Sequence, residues 1–172
     1  MGCENQLINM TLGGTLIIGS KIHRGENQIS GTVEHMSLHP GGRKCYCGQK
    51  GCVEAYCSLN ALIEQAGAKT PSVFFEDLRA GSSEASSVWD TYLTDLAMTI
   101  NNATHVVDCD VVLSGHLSTY LCEDDLVMLE QKLNNLSSFP FRKQRIKIVE
   151  RRKDIAAVGA AIWQINNFFR TL

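Results

Sequence analysis

Along the chain the apolar pattern changes from short runs between glycines to helical spacing. Leu7, Ile8, Met10 and Leu12 lead into Gly13-Gly14, and Leu16-Ile17-Ile18 run on to Gly19-Ser20 with Ile22 beyond, which predicts a two-stranded hairpin turning at Gly13-Gly14. Residues 25–31 are polar and turn-rich, residues 33–38 suit either a strand or a loop, and Pro40-Gly41-Gly42 marks a turn. Ser58 can cap a helix carrying Leu59, Leu62, Ile63 and Ala66, with Gly67 ending it. Phe74, Phe75 and Leu78 predict a second short helix. Residues 84–104 predict a long one, with Val88, Tyr92, Leu96 and Ile100 on its buried face. Val111-Val112-Leu113, closed by Ser114-Gly115, has the pattern of a buried parallel strand that ends at a ligand crevice. Leu126, Leu129 and Leu133 give another helix and Ile146-Lys147-Ile148-Val149 another strand. Asp154 then caps a last helix carrying Ile155, Val158, Ile162 and Ile165. An early hairpin followed by helices alternating with single strands is an α/β layout.

The 172 residues are enough for one domain with a real core, and 44% apolar with 20% charged is a globular composition. A formal charge of −2 and a pI near 6.2 exclude the basic excess of a free-standing nucleic-acid binder. No apolar run approaches the roughly 20 residues of a bilayer-crossing helix, and the first ten residues lack the features of a secretory signal, so a cytoplasmic protein is expected. Gln6 stands where the myristoylation pattern after Gly2 requires Ser or Thr.

Seven cysteines without a secretion signal argue against a disulfide framework. Cys45, Cys47 and Cys52 lie within eight residues in a polar loop that holds Gly48 and Gly51, so three thiolates can converge on one ion. Zinc takes four tetrahedral ligands, and His35, His39 and Cys57 are each candidates for the fourth. A metal there would stitch a loop with almost no core of its own, worth on the order of 10 kcal/mol. Cys109 and Cys122 are expected to pack in the core, and Cys3 to belong to a frayed terminus.

The stretch from Cys45 to Glu54, CYCGQKGCVE, resembles the CxCGxxGCxE zinc motif of the ROK family of sugar kinases and sugar-responsive transcriptional regulators. The likeness extends in register from Asn9 to Ala161. It implies an actin-like, ribonuclease H-like fold in which residues 1–172 form the second, C-terminal lobe. A zinc loop would span residues 31–57, and the first lobe and any helix-turn-helix would lie outside the chain. It also implies His35 as the fourth zinc ligand, and sugar hydroxyl contacts from His35 and Glu54. A carboxylate accepts such hydrogen bonds, and a zinc-fixed imidazole can donate from its second nitrogen.

This chain departs from the family's kinases at several points. Their Glu-x-Gly-His motif reads Thr32-Val33-Glu34-His35, so the usual sugar-binding glutamate is Thr32, and Glu34 replaces a glycine. The phosphate turn around Gly13-Gly14 is about three residues shorter than in the kinases, leaving fewer backbone N–H groups for a nucleotide. The second nucleotide segment reads Ser114-Gly115-His116, placing a histidine where adenosine would sit. The kinases' first phosphate motif, Asn-Asp pair and catalytic base are not found, so no catalytic residue is assigned here. The expectation is a zinc-containing, sugar-binding effector lobe of a regulator, which takes a sugar or sugar phosphate, pairs as a homodimer and reaches DNA only through a separate domain. The alternative is a lobe of an ATP- and Mg²⁺-dependent hexose or N-acetylhexosamine kinase.

Overall fold

The computed structural model describes residues 10–19, 21–139, 146–149 and 155–170. Leu7, Ile8, Asp154 and Cys3 lie outside these. Among the described residues two two-stranded sheets and six α-helices follow one another: β1 (Leu16–Ile18), β2 (Lys21–His23), α1 (Glu54–Cys57), α2 (Leu59–Ala66), α3 (Pro71–Arg79), α4 (Ser83–Val106), β3 (Val111–Leu113), α5 (Glu123–Leu136), β4 (Ile146–Ile148) and α6 (Ile155–Arg170). Strands β1 and β2 pair antiparallel with Ile18 opposite Lys21, whereas β3 and β4 pair in parallel with Val111 opposite Ile146.

The hairpin does not turn at Gly13-Gly14. It turns directly after Ile18, which pairs with Lys21, and there Gly19 takes φ +55°, the left-handed conformation that tight hairpin turns require. Residues 12–15 instead run without regular structure into β1.

The helices start and stop on local chemistry. The Ser58 hydroxyl accepts the Ala61 N–H at 3.1 Å, and Gly67 closes α2 in the left-handed conformation. Thr70 caps α3 with Pro71 at its first position, and Ser82 caps α4. The buried stripe of α4 is Trp89, Tyr92, Leu93, Leu96, Ala97 and Ile100, while Val88 is half-buried. Steps of four drift off one face of a 3.6-residue helix, so the true stripe alternates steps of three and four and centres on Trp89.

The core lies between α1–α4 and α5. Trp89 stacks on Tyr92 at 5.2 Å and takes Phe75 edge-on at 5.3 Å, and Phe75 stacks on Tyr120 at 4.7 Å. Each such buried aromatic stabilises the fold by about 2–3 kcal/mol. Three helices are tied to Asp125, a buried carboxylate on α5. It accepts from Trp89 Nε1 at 2.9 Å, Cys122 N at 2.8 Å, Arg79 Nη1 at 3.1 Å and Arg79 Nη2. Burial alone would push this carboxyl up, but the Arg79 and Cys122 donors outweigh it and hold it below the usual carboxylate range.

Other expectations are corrected. Val112 on β3 is 54% exposed, so β3 is not a fully buried strand; among the described residues its sheet has two strands. Cys122 is exposed at the start of α5, where its backbone serves as the cap, and Cys109 is only half-buried. On α6 the side chains of Val158, Ile162 and Ile165 are exposed.

Candidate metal centre and ligand site

Leu38, Val53 and Cys57 seat the segment from residue 31 to 57 on the core, and backbone bonds shape the loop between them. A single 3₁₀ turn at Val33–His35 presents His35, and isolated bridges join Ser37 to Cys52 and Lys44 to Lys50. The Cys45 N–H donates to the Gln49 carbonyl at 2.9 Å and the Gly48 N–H to the Cys45 carbonyl at 3.0 Å, closing a tight knuckle. Gly48 and Gly51 take φ +92° and +84°, and a Cβ at Gly51 would come within 1.9 Å of the His39 carbonyl oxygen.

This backbone brings together His35, Cys45, Cys47 and Cys52, whose ligand atoms all lie within 4.8 Å of one another. Cys45 Sγ is 3.8 Å from His35 Nδ1, and Cys47 Sγ is 3.7 Å from Cys52 Sγ. Tetrahedral ligands at zinc–sulfur bond length stand about 3.8 Å apart, whereas a disulfide brings its sulfurs to about 2 Å. The donor set and spacing fit a tetrahedral Cys₃His ion. A hydrogen bond to the Gln49 backbone draws the exposed Cys47 thiol below its usual range, while burial beside the other thiols pushes Cys52 up to about 12. A cation held here would displace the Cys52 proton.

The other two candidates for the fourth ligand point elsewhere. The Cys57 thiol is buried against Thr99 Oγ1 at 3.7 Å, and burial pushes it up to about 12. His39 Nε2 lies 2.7 Å from Asp95 Oδ1 on α4.

Of the sugar candidates, Glu54 is buried at the start of α1, and its Oε2 accepts the Leu12 N–H at 2.8 Å. Burial raises its carboxyl against the opposing pull of that N–H. Glu34 Oε2 accepts the Gly14 N–H at 3.1 Å. The Thr32 hydroxyl donates to the Ile29 carbonyl at 2.7 Å, and His35 Nε2 stands 3.3 Å from the Tyr46 hydroxyl. An open depression of about 590 Å³ adjoins this cluster, lined by Glu54, Tyr46, Lys44, Asn60 and Glu64 among others. Leu12 and Gly14 thus lie over the two glutamates, with Gly13 between them in sequence and a Cβ at Gly14 excluded by the Gly31 carbonyl at 2.3 Å. Ser114 and Gly115 follow β3, and Gly115 has φ +88°. The Leu12 and Gly14 contacts were not legible in the sequence, since a backbone N–H leaves no residue signature.

The ROK family model matches residues 7–167, and the chain belongs to the ROK family. It is 26% identical over 162 residues to an N-acetylmannosamine kinase of Yersinia pestis, covering 91% of this chain and 54% of that one. A ROK hexokinase from Thermus thermophilus superposes with a TM-score of 0.72 at 23% identity, over 86% of this chain and 51% of that one. A ROK family transcriptional regulator, a homologue of the E. coli MLC protein, superposes with a TM-score of 0.68 at 21% identity, over 86% and 41%. The chain therefore has the actin-like ROK fold and spans about half the length of the relatives it matches. Among the described residues no helix is long and apolar enough to cross a membrane.

Proposed function

We propose that this chain is a zinc-stapled, sugar-binding lobe of a ROK regulator, one that senses a sugar without phosphorylating it. The observation that carries this reading is the Glu34 carboxylate on the Gly14 N–H. A glycine turn that cradles phosphate must offer its N–H groups to the anion, and here one of them is taken by a negative charge that repels phosphate. His35, Cys45, Cys47 and Cys52 would hold the zinc, which supplies a cross-link between residue 35 and the knuckle. Glu54 supplies an acceptor for sugar hydroxyls at the depression, and Thr32 and Glu34, outside its lining, would add to the contacts of a larger sugar. Thiolate ligands suit a reducing compartment, consistent with a cytoplasmic protein. Pairing through this lobe, and DNA contact through a separate domain, complete the reading.

A second reading, the C-terminal lobe of an ATP-dependent sugar kinase, is favoured by the N-acetylmannosamine kinases among the relatives. The two are separated by calorimetric titration of the zinc-loaded chain with ATP–Mg²⁺ and with N-acetylmannosamine, N-acetylglucosamine and glucose, because a chain without the catalytic base and the Asn-Asp pair forms no sugar phosphate under either reading. The regulator reading expects a sugar isotherm and no nucleotide isotherm. Nucleotide binding would overturn it, and so would no binding of any sugar.

A further inference from the structure

Asp95 sits near the middle of α4, 8% exposed, beside Leu93, Leu96 and Ala97 of the buried stripe. A carboxylate in that position is costly unless it has a partner. Its partner is His39, whose Nε2 lies 2.7 Å from Oδ1. His39 belongs to the neck of the metal loop and is fixed there on three sides. Its N–H and that of Leu38 both donate to the Gly51 carbonyl, at 3.0 and 2.7 Å, and its own carbonyl accepts the Gly42 N–H at 2.9 Å. Its ring meets Tyr56 edge-on at 4.5 Å, and the Tyr56 hydroxyl accepts the Arg43 N–H at 2.7 Å.

The residues clamped to His39 are those that flank two of the sulfur donors. Gly51 precedes Cys52, and Gly42 and Arg43 lead to Cys45. We infer that the His39–Asp95 pair is a positioning device for the metal centre: it anchors both arms of the knuckle to the rigid core helix and so fixes Cys45 relative to Cys52. Neither residue is among the four that would hold the ion. A metal site is retained when its ligands are held near their bound geometry before binding, and loss of such outer support costs roughly tenfold or more in affinity. The inference rests on the zinc reading above and adds to it two residues outside the ligand set.

The test is the rate at which zinc passes from the loaded chain to a chromogenic chelator, read beside the thermal midpoint, for wild type and for Asp95→Asn, Asp95→Ala and His39→Phe. Asp95→Asn keeps an acceptor for His39, and His39→Phe keeps the ring against Tyr56 while removing the hydrogen bond. The expected result is zinc release about tenfold faster in His39→Phe and Asp95→Ala, with Asp95→Asn near wild type. If the thermal midpoints fall while the release rates stay equal, the pair is merely a stabilising contact and the inference is overturned. His39→Phe keeps the test decisive should Asp95→Ala fail to fold. A wild-type chain that takes up no zinc overturns the metal reading itself, a different outcome from equal release rates.

Discussion

Replacing Asp125 by alanine removes the acceptor shared by α3, α4 and the start of α5. Asp125 is 2% exposed, so its partners lose a bond that water cannot replace equally. The Trp89 indole N–H, in a 2%-exposed residue, is left unsatisfied at a cost of about 1–3 kcal/mol, and losing the carboxylate on the Cys122 N–H removes a helix cap worth about 1 kcal/mol. The Arg79 side chain is 40% exposed and regains water, so its share is small. The total of about 2–4 kcal/mol overlaps the cost of breaking a buried pair and is a large fraction of a typical 5–15 kcal/mol stability. With a urea slope near 2 kcal/mol/M, the unfolding midpoint of Asp125→Ala, followed by far-ultraviolet circular dichroism, should fall by about 1–2 M. Asp125→Asn, which keeps an acceptor for Trp89, should lose less. A loss under about 1 kcal/mol for the alanine variant would refute the assignment of Asp125 as the junction.

The Asp125 carboxyl is held below its ordinary range in the folded chain, so its stabilisation is complete above pH ~4 and is lost as pH falls through the depressed value. Urea midpoints should therefore drop more steeply as pH falls below about 4 in wild type than in Asp125→Asn. Gly51→Ala, placing a Cβ 1.9 Å from the His39 carbonyl at φ +84°, should destabilise by more than about 1 kcal/mol in thermal melts and weaken zinc retention; an unchanged melt would show that the neck relaxes. Chelating the metal should expose residues 31–57 to limited proteolysis, with Cys52→Ser cleaved there even in added zinc; protection unaffected by chelator would contradict the staple. Glu34→Gly frees the Gly14 N–H and should raise affinity for a non-hydrolysable ATP analogue in calorimetry, and no gain would show that Glu34 is not what closes the turn.

What could be read from the sequence was whatever is encoded locally. Ser58 and Gly67 bracket α2 because a cap and a left-handed terminator each act within one turn. The three cysteines converge because their spacing and two glycines leave the backbone little other choice. The fourth ligand was open on spacing alone, since His35, His39 and Cys57 are all near in sequence, and only the family resemblance favoured His35; in the structure the pairing of His39 with Asp95, 56 residues away, and the burial of Cys57 against Thr99 leave His35 in the cluster. The Asp125 junction was invisible for the same reason: Arg79 and Trp89 stand on two other helices, 46 and 36 residues away. The hairpin was misplaced because Gly13-Gly14 has the composition of a turn, yet Gly14 serves close approach to residues 31 and 33.

The claim on which the rest depends is that His35, Cys45, Cys47 and Cys52 bind one zinc ion. Zinc K-edge absorption on the purified chain tests it most directly. The account predicts one zinc per chain with three sulfur neighbours at about 2.3 Å and one nitrogen at about 2.0 Å. A chain without zinc, or a shell built of nitrogen and oxygen alone, would contradict it.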